Sequence, residues 1–138
     1  IPNILQSALN PSIPFSIFGI DFDTPDGSAI RDYVHVNDLA RAHIMALHYL
    51  DGHKGYIPIN LGSGSGVSIL QLVEKVEGLI DRKLNIKFKS RHKGDPPVLF
   101  SDITMAEKIL GWKPVQSEID NIIRDSMHYQ RKQIKRKS

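Results

Sequence analysis

The chain has 138 residues, 41% hydrophobic and 24% charged, a length and composition that fit one globular domain. It contains no cysteine, which excludes disulfides and thiolate metal sites, and no run approaches the roughly 18 apolar residues of a membrane helix. The formal charge of +3 is local: Arg131, Lys132, Lys135, Arg136 and Lys137 are five of the 18 basic residues, and without them 13 bases face 15 acids.

In chain order, residues 2–9 read as a helix that Asn10-Pro11-Ser12 ends. Residues 15–18 alternate like a short strand, and residues 21–27 form a turn-rich loop around Pro25 and Asp26-Gly27. Residues 30–36 alternate again, and Asp38 is placed to N-cap a helix running to about Leu50. Residues 56–61 predict a strand in which Pro58 forfeits one ladder donor, so an edge or irregular position is expected. Ser68 with Gln71 three residues on forms a capping box. Ile69, Leu72, Val73, Val76, Leu79 and Ile80 then recur at helical spacing. Residues 84–89 alternate as a half-buried strand. Asp102 caps a short helix that Gly111 closes, and Ser117 opens a last helix with Ile119, Ile122, Ile123 and Met127 facing inward. The pattern is mixed α/β, with a domain over residues 1–130 and a basic flexible tail over 131–138. Terminal charge runs are usually solvated, so a nucleic-acid contact is the minor reading of that tail.

Several groups could carry chemistry. On an extended strand Arg31 would share a face with Tyr33 and His35. Its guanidinium offers a fork of donors that suits phosphate oxygens, and the plain alternative is an ion pair with Asp32 or Asp38. Tyr33 reads equally as a core residue, and His35 as a hydrogen-bonded structural residue. Asp95 stands in the turn Lys93-Gly94-Asp95-Pro96-Pro97, where a fixed carboxylate could accept from two hydroxyls or simply cap the turn. Gly62-Ser63-Gly64-Ser65-Gly66 is not G-x-G-x-x-G, because Val67 holds the last glycine place. It reads as a tight turn into a helix whose N-terminus could favour phosphate. The six histidines do not cluster at metal-ligand spacing; His43 and His48 are rotated off a common face.

Four blocks acquire a common meaning when taken together. They are the run from Gly27 through Arg31-Asp32-Tyr33-Val34-His35-Val36 to Ala40, Ser16-Ile17-Phe18-Gly19, Asn60-Leu61-Gly62-Ser63-Gly64, and Arg91-His92-Lys93-Gly94-Asp95. In order and spacing they resemble the carboxy-terminal part of the UDP-glucose 4-epimerase family, extended short-chain dehydrogenases, over residues 1 to about 130. The resemblance implies a small mixed α/β substrate-binding domain with the Rossmann half absent from this chain. That family's G-x-x-G-x-x-G turn and Tyr-x-x-x-Lys pair do not occur here. NAD would be bound by the missing amino-terminal half, no catalytic residue is expected in this chain, and the piece alone is predicted inactive. In the family's mechanism a base removes the 4-hydroxyl proton while NAD takes the C4 hydride, and the keto sugar turns over before the hydride returns.

By the same resemblance, Ser16 and Phe18 would hold uracil through their main chain, Arg31 would meet the diphosphate, and Tyr33 would line the cleft. Ile69 would pack near the nucleotide, Asp95 would take the ribose hydroxyls, and Leu99 would set the room around the sugar. Leucine at 99 leaves acceptance of N-acetyl sugars open. His92 stands where the family has a phosphate-binding arginine; the expectation is an imidazolium whose grip weakens as pH rises from about 6 to 8. The implied partner is a UDP-sugar, with no metal and no membrane, in a cytoplasmic protein whose parent could be a homodimer. Other readings are another nucleotide-sugar short-chain dehydrogenase (a dehydratase, decarboxylase or uronate epimerase) or a non-catalytic nucleotide-sugar binding module.

Overall fold

The computed structural model describes residues 1–137, the last of them by its backbone alone. Helix α1 (Pro2–Leu9) has proline in its first turn, where a missing amide costs no hydrogen bond, and Asn10 leaves it in extended conformation. Strand β1 (Phe15–Phe18) follows. Farther on come β2 (Ile30–Arg31), α2 (Val36–Leu50), β3 (Val67–Ser68) and α3 (Ile69–Ile80). After β4 (Ile86–Lys89) and β5 (Val98–Leu99), a π-helical turn (Ala106–Leu110) closes on left-handed Gly111, and α4 (Ile119–Lys137) completes the order.

Two small sheets result. Strands β1 and β4 pair in parallel, with Phe18 opposite Lys89. Strand β2 sits between antiparallel β3 and parallel β5, with Arg31 opposite Val67 on one side and Leu99 on the other. The main core gathers α1, β1, α3 and α4: Ile4, Leu5, Ile17, Leu72, Val76 and Ile123 are all nearly inaccessible. Ser68 accepts from the Gln71 amide while Gln71 Oε1 accepts from the Ser68 amide, so the expected capping box sets the start of α3. A second cluster packs Trp112 against Ala42 and Ala106, and the Trp112 Nε1–H donates to the Asp38 carbonyl at 2.9 Å.

The structure corrects several expectations. Strand β2 stops at Arg31 instead of residue 36, because Asp32 turns its carboxylate to Ser63 and Ser101. Arg31, Tyr33 and His35 therefore do not line one strand face. His35, not Asp38, caps α2: its Nδ1 accepts from the Asn37 amide at 3.1 Å, and its Nε2 lies 3.2 Å from Asp125 on α4. The structural reading of His35 thus describes it well. Residues 56–61 form no strand, since no neighbouring strand runs alongside them among the described residues and Tyr56 is 88% exposed. Strand β4 is more exposed than half-buried; only Ile86 is partly covered. Helix α4 continues to Lys137, so residues 131–137 of the expected tail are helical, and residue 138 lies outside the described residues.

Candidate functional site

The loop after β4 connects the carboxyl ends of one parallel strand pair to the start of the other. It carries Arg91, His92 and Asp95, and Gly94 at φ +89° makes the reversal that few side chains tolerate. His92 lies back on the ring of Phe18, the last residue of β1, with centroids 4.4 Å apart and planes at 26°. The Lys89 Nζ, opposite Phe18 in the β1–β4 register, sits 5.4 Å from the same ring. Arg91 turns away from that stack, toward Asp21 at 3.7 Å and over the Phe22 ring. On the other side Asp95 approaches Arg31, the last residue of β2, with Oδ1 and Nη2 at 3.9 Å. Arg31 Nη1 also donates to the carbonyls of Ile30 at 2.8 Å and Pro96 at 2.9 Å. The alternative weighed for Arg31, an ion pair with Asp32 or Asp38, does not form; its carboxylate neighbour is Asp95.

Four of the eight candidates hence meet along this loop, Phe18 with His92 and Arg31 with Asp95; Leu99 pairs beside Arg31, and Ser16 lies two residues back along β1 opposite Lys87. Carboxyl ends of parallel strands are where open α/β sheets present ligand sites, and Phe18 and Lys89 stand at such an end, whereas Asp95 precedes the start of β5. Cationic groups along this loop offer donors to phosphate, and the Asp95 carboxylate accepts from hydroxyls.

Tyr33 and Ile69 lie elsewhere. Tyr33 lines a cleft of about 220 Å³ together with Ser63, Ser65, Val67, Val115 and Ser117. Burial pushes its phenol upward in pKa, and the charge of Arg31 opposes that shift. Ile69 opens α3 and packs against the main core. The glycine run does form the tight turn the sequence implies, but the amides at the start of the helix it leads into are already committed. The amide of Ser63 donates to Asp32, that of Ile69 to the Ala29 carbonyl, and those of Leu70 and Gln71 to the hydroxyls of Ser28 and Ser68. The phosphate role suggested for this helix N-terminus is accordingly corrected: its amides already have partners.

Three carboxylates escape a reading of the sequence alone. Asp32 accepts from the Ser63 amide and hydroxyl and from the Ser101 amide. Asp26 holds Ser28 and the hydroxyl of Ser68. Asp38, 1% exposed, accepts from the amides of Val115 and Gln116 and from the Ser117 hydroxyl. In each, burial acts to raise the carboxyl pKa, and the hydrogen bonds outweigh it and hold the group below the usual range. The partners are 31 to 79 positions away for Asp32 and Asp38, so nothing local signals them. Among the described residues no helix is long and apolar enough to cross a membrane, and no group of three His, Asp or Glu is placed to hold a metal ion.

Comparison with known proteins gives these observations a frame. Residues 1–62 match the model of the NAD dependent epimerase/dehydratase family. The UDP-glucose 4-epimerase of Lactobacillus helveticus is 42% identical over 124 residues, 89% of this chain and 37% of that protein. The UDP-glucose 4-epimerase of Stenotrophomonas maltophila, solved with bound NAD and formylated UDP-arabinopyranose, superposes with a TM-score of 0.90 at 35% identity, over 99% of this chain and 40% of that one. That of Bifidobacterium longum, solved with NAD+ and UDP, gives 0.87 at 34% identity over 95% and 38%. The chain spans well under half the length of these relatives. Its fold and its sequence agree in making it a homologue of part of the UDP-glucose 4-epimerases, with its first 62 residues matching the NAD dependent epimerase/dehydratase model.

Proposed function

We propose that this chain is the substrate-gripping part of an NAD-dependent UDP-glucose 4-epimerase that interconverts UDP-glucose and UDP-galactose. The observation that carries the reading is the shared loop. There the Phe18–His92 stack and the Arg31–Asp95 pair stand where one loop bridges two parallel strand pairs. In this reading the uracil lies against β1 near Ser16 and Phe18, Asp95 accepts from the ribose hydroxyls, and Arg31 meets the diphosphate. Leu99 limits the space around the sugar, while Tyr33 and Ile69 lie away from this loop and carry no ligand contact in this reading. His92 is half committed to Phe18, so its contact with phosphate would come from the ring edge.

The relatives' names and bound molecules support NAD as the cofactor of the whole enzyme. The residues here do not suit it, because the amides of Ser63 and Ser65 in the glycine turn and those of Ile69, Leu70 and Gln71 at the start of α3 are already hydrogen-bonded within the fold. The chain's own contribution is binding and orientation: anchoring the nucleotide lets the keto sugar rotate without leaving. Titration with UDP followed by amide chemical shifts tests this, with saturable changes expected at Phe18, Arg31 and Asp95. Arg31→Ala should weaken UDP binding by about tenfold or more, as loss of a charged hydrogen-bond donor does. Inversion at C4 of UDP-galactose by this chain alone would overturn the division of labour.

A further inference from the structure

The turn at residues 92–97 keeps its shape without a core. Every residue from 91 to 100 is exposed, so no apolar burial fixes Asp95 relative to β2. Its ties are polar, apart from the stack of His92 on Phe18. Within the turn the Asp95 amide donates to the His92 carbonyl at 3.2 Å, and beside it the Ile30 amide donates to the Pro97 carbonyl at 2.8 Å. The other ties come from one side chain. Arg31 Nη1 bridges the carbonyls of Ile30 and Pro96, and its Nη2 faces Asp95. One planar guanidinium thus links strand, turn and carboxylate, a geometry that the point charge of a lysine does not reproduce.

We propose that Arg31 is a positioning residue for Asp95: it pins the 92–97 turn to β2 and thereby sets where the carboxylate meets a ribose. For its ligand the inference rests on the uridine-nucleotide reading above; its geometric half does not. A phosphate contact alone would make Arg31 matter only for ligands that carry phosphate. A positioning role makes it matter for the bare nucleoside as well.

The test is titration of the chain with uridine and with UDP, for the unaltered protein, Arg31→Gln and Arg31→Lys. Arg31→Gln is expected to weaken uridine about tenfold along with UDP. Arg31→Lys should recover part of the UDP affinity through its charge but not the uridine affinity. Uridine binding unchanged in Arg31→Gln would overturn the proposal. Hydrogen exchange without ligand supplies the second arm. The amides of Asp95 and Ile30 should exchange at least about fivefold faster in Arg31→Gln, while those of Val76 and Ile123 in the core keep their rates. If the unaltered chain binds neither UDP nor uridine, the uridine-nucleotide reading fails, and the exchange result alone decides whether Arg31 positions the turn. Unchanged exchange at Asp95 and Ile30 would also overturn the proposal.

Discussion

Asp38 shows how one side chain can hold a loop that has little else to hold it. Its carboxylate receives two backbone amides and the Ser117 hydroxyl, its carbonyl receives the Trp112 indole, and Arg41 stands 3.8 Å away. Removing the carboxylate leaves the two part-buried amides and the Ser117 hydroxyl without that acceptor, while the backbone carbonyl under Trp112 stays. Asp38→Ala should therefore cost about 2–3 kcal/mol, measurable by urea unfolding. The same residue contributes to the acid limit of stability, with Asp26 and Asp32. All three carboxyls are depressed in the folded state. Their contribution is therefore complete above the unfolded value of about 3.9 and lost as pH falls through the lower folded values. The urea midpoint is expected to stay level from about pH 7 to 5 and to fall below about pH 4. In Asp38→Asn that acid limb should be shallower.

At the scale of elements, two glycines with the same local freedom have opposite roles. Gly62 ends the segment before the serine-rich turn, and a Cβ there would run into Asp32 Oδ2 and lie 2.6 Å from Ser101 Cβ. Gly62→Ala should destabilise by about 1–3 kcal/mol, as overpacking does, and should loosen the clip that Asp32 forms between two loops. Gly78 sits inside α3 with nothing within 4 Å of its would-be Cβ. Gly78→Ala is expected to stabilise by about 0.5–1 kcal/mol, since alanine suits a helix interior better. Thermal unfolding of the pair distinguishes a glycine needed for close approach from one that is not. Helix α3 itself was readable from its apolar spacing and capping box, because both are local features. The shortness of β2 was not: Asp32 leaves the strand to reach partners 31 and 69 positions away.

At the scale of the whole molecule, α2 leaves an apolar stripe uncovered. Val36, Ile44, Leu47 and Leu50 recur along the outer side of α2, and each is more than half exposed. Residues so exposed contribute little to folding, so Ile44→Glu combined with Leu47→Glu should shift unfolding by no more than about 0.5 kcal/mol per site. The same change should raise the concentration at which the chain stays soluble, measured by light scattering, because a contiguous apolar patch promotes association. A large loss of stability would mean that this face packs within the chain.

What the sequence determined by itself were the features that depend on neighbours three or four residues apart. These are the helices α1, α2 and α3 and the first turns of α4, the capping box, left-handed Gly111, and the four motif blocks that point to the epimerases. Only the tertiary structure decided that Arg31 pairs with Asp95, that His92 lies on Phe18, that His35 caps α2 and that residues 56–61 remain unpaired. The reason is physical: helix periodicity and caps are satisfied within a turn of chain, whereas strand pairing and the partners of a buried or half-buried charge come from distant segments that only the fold brings near.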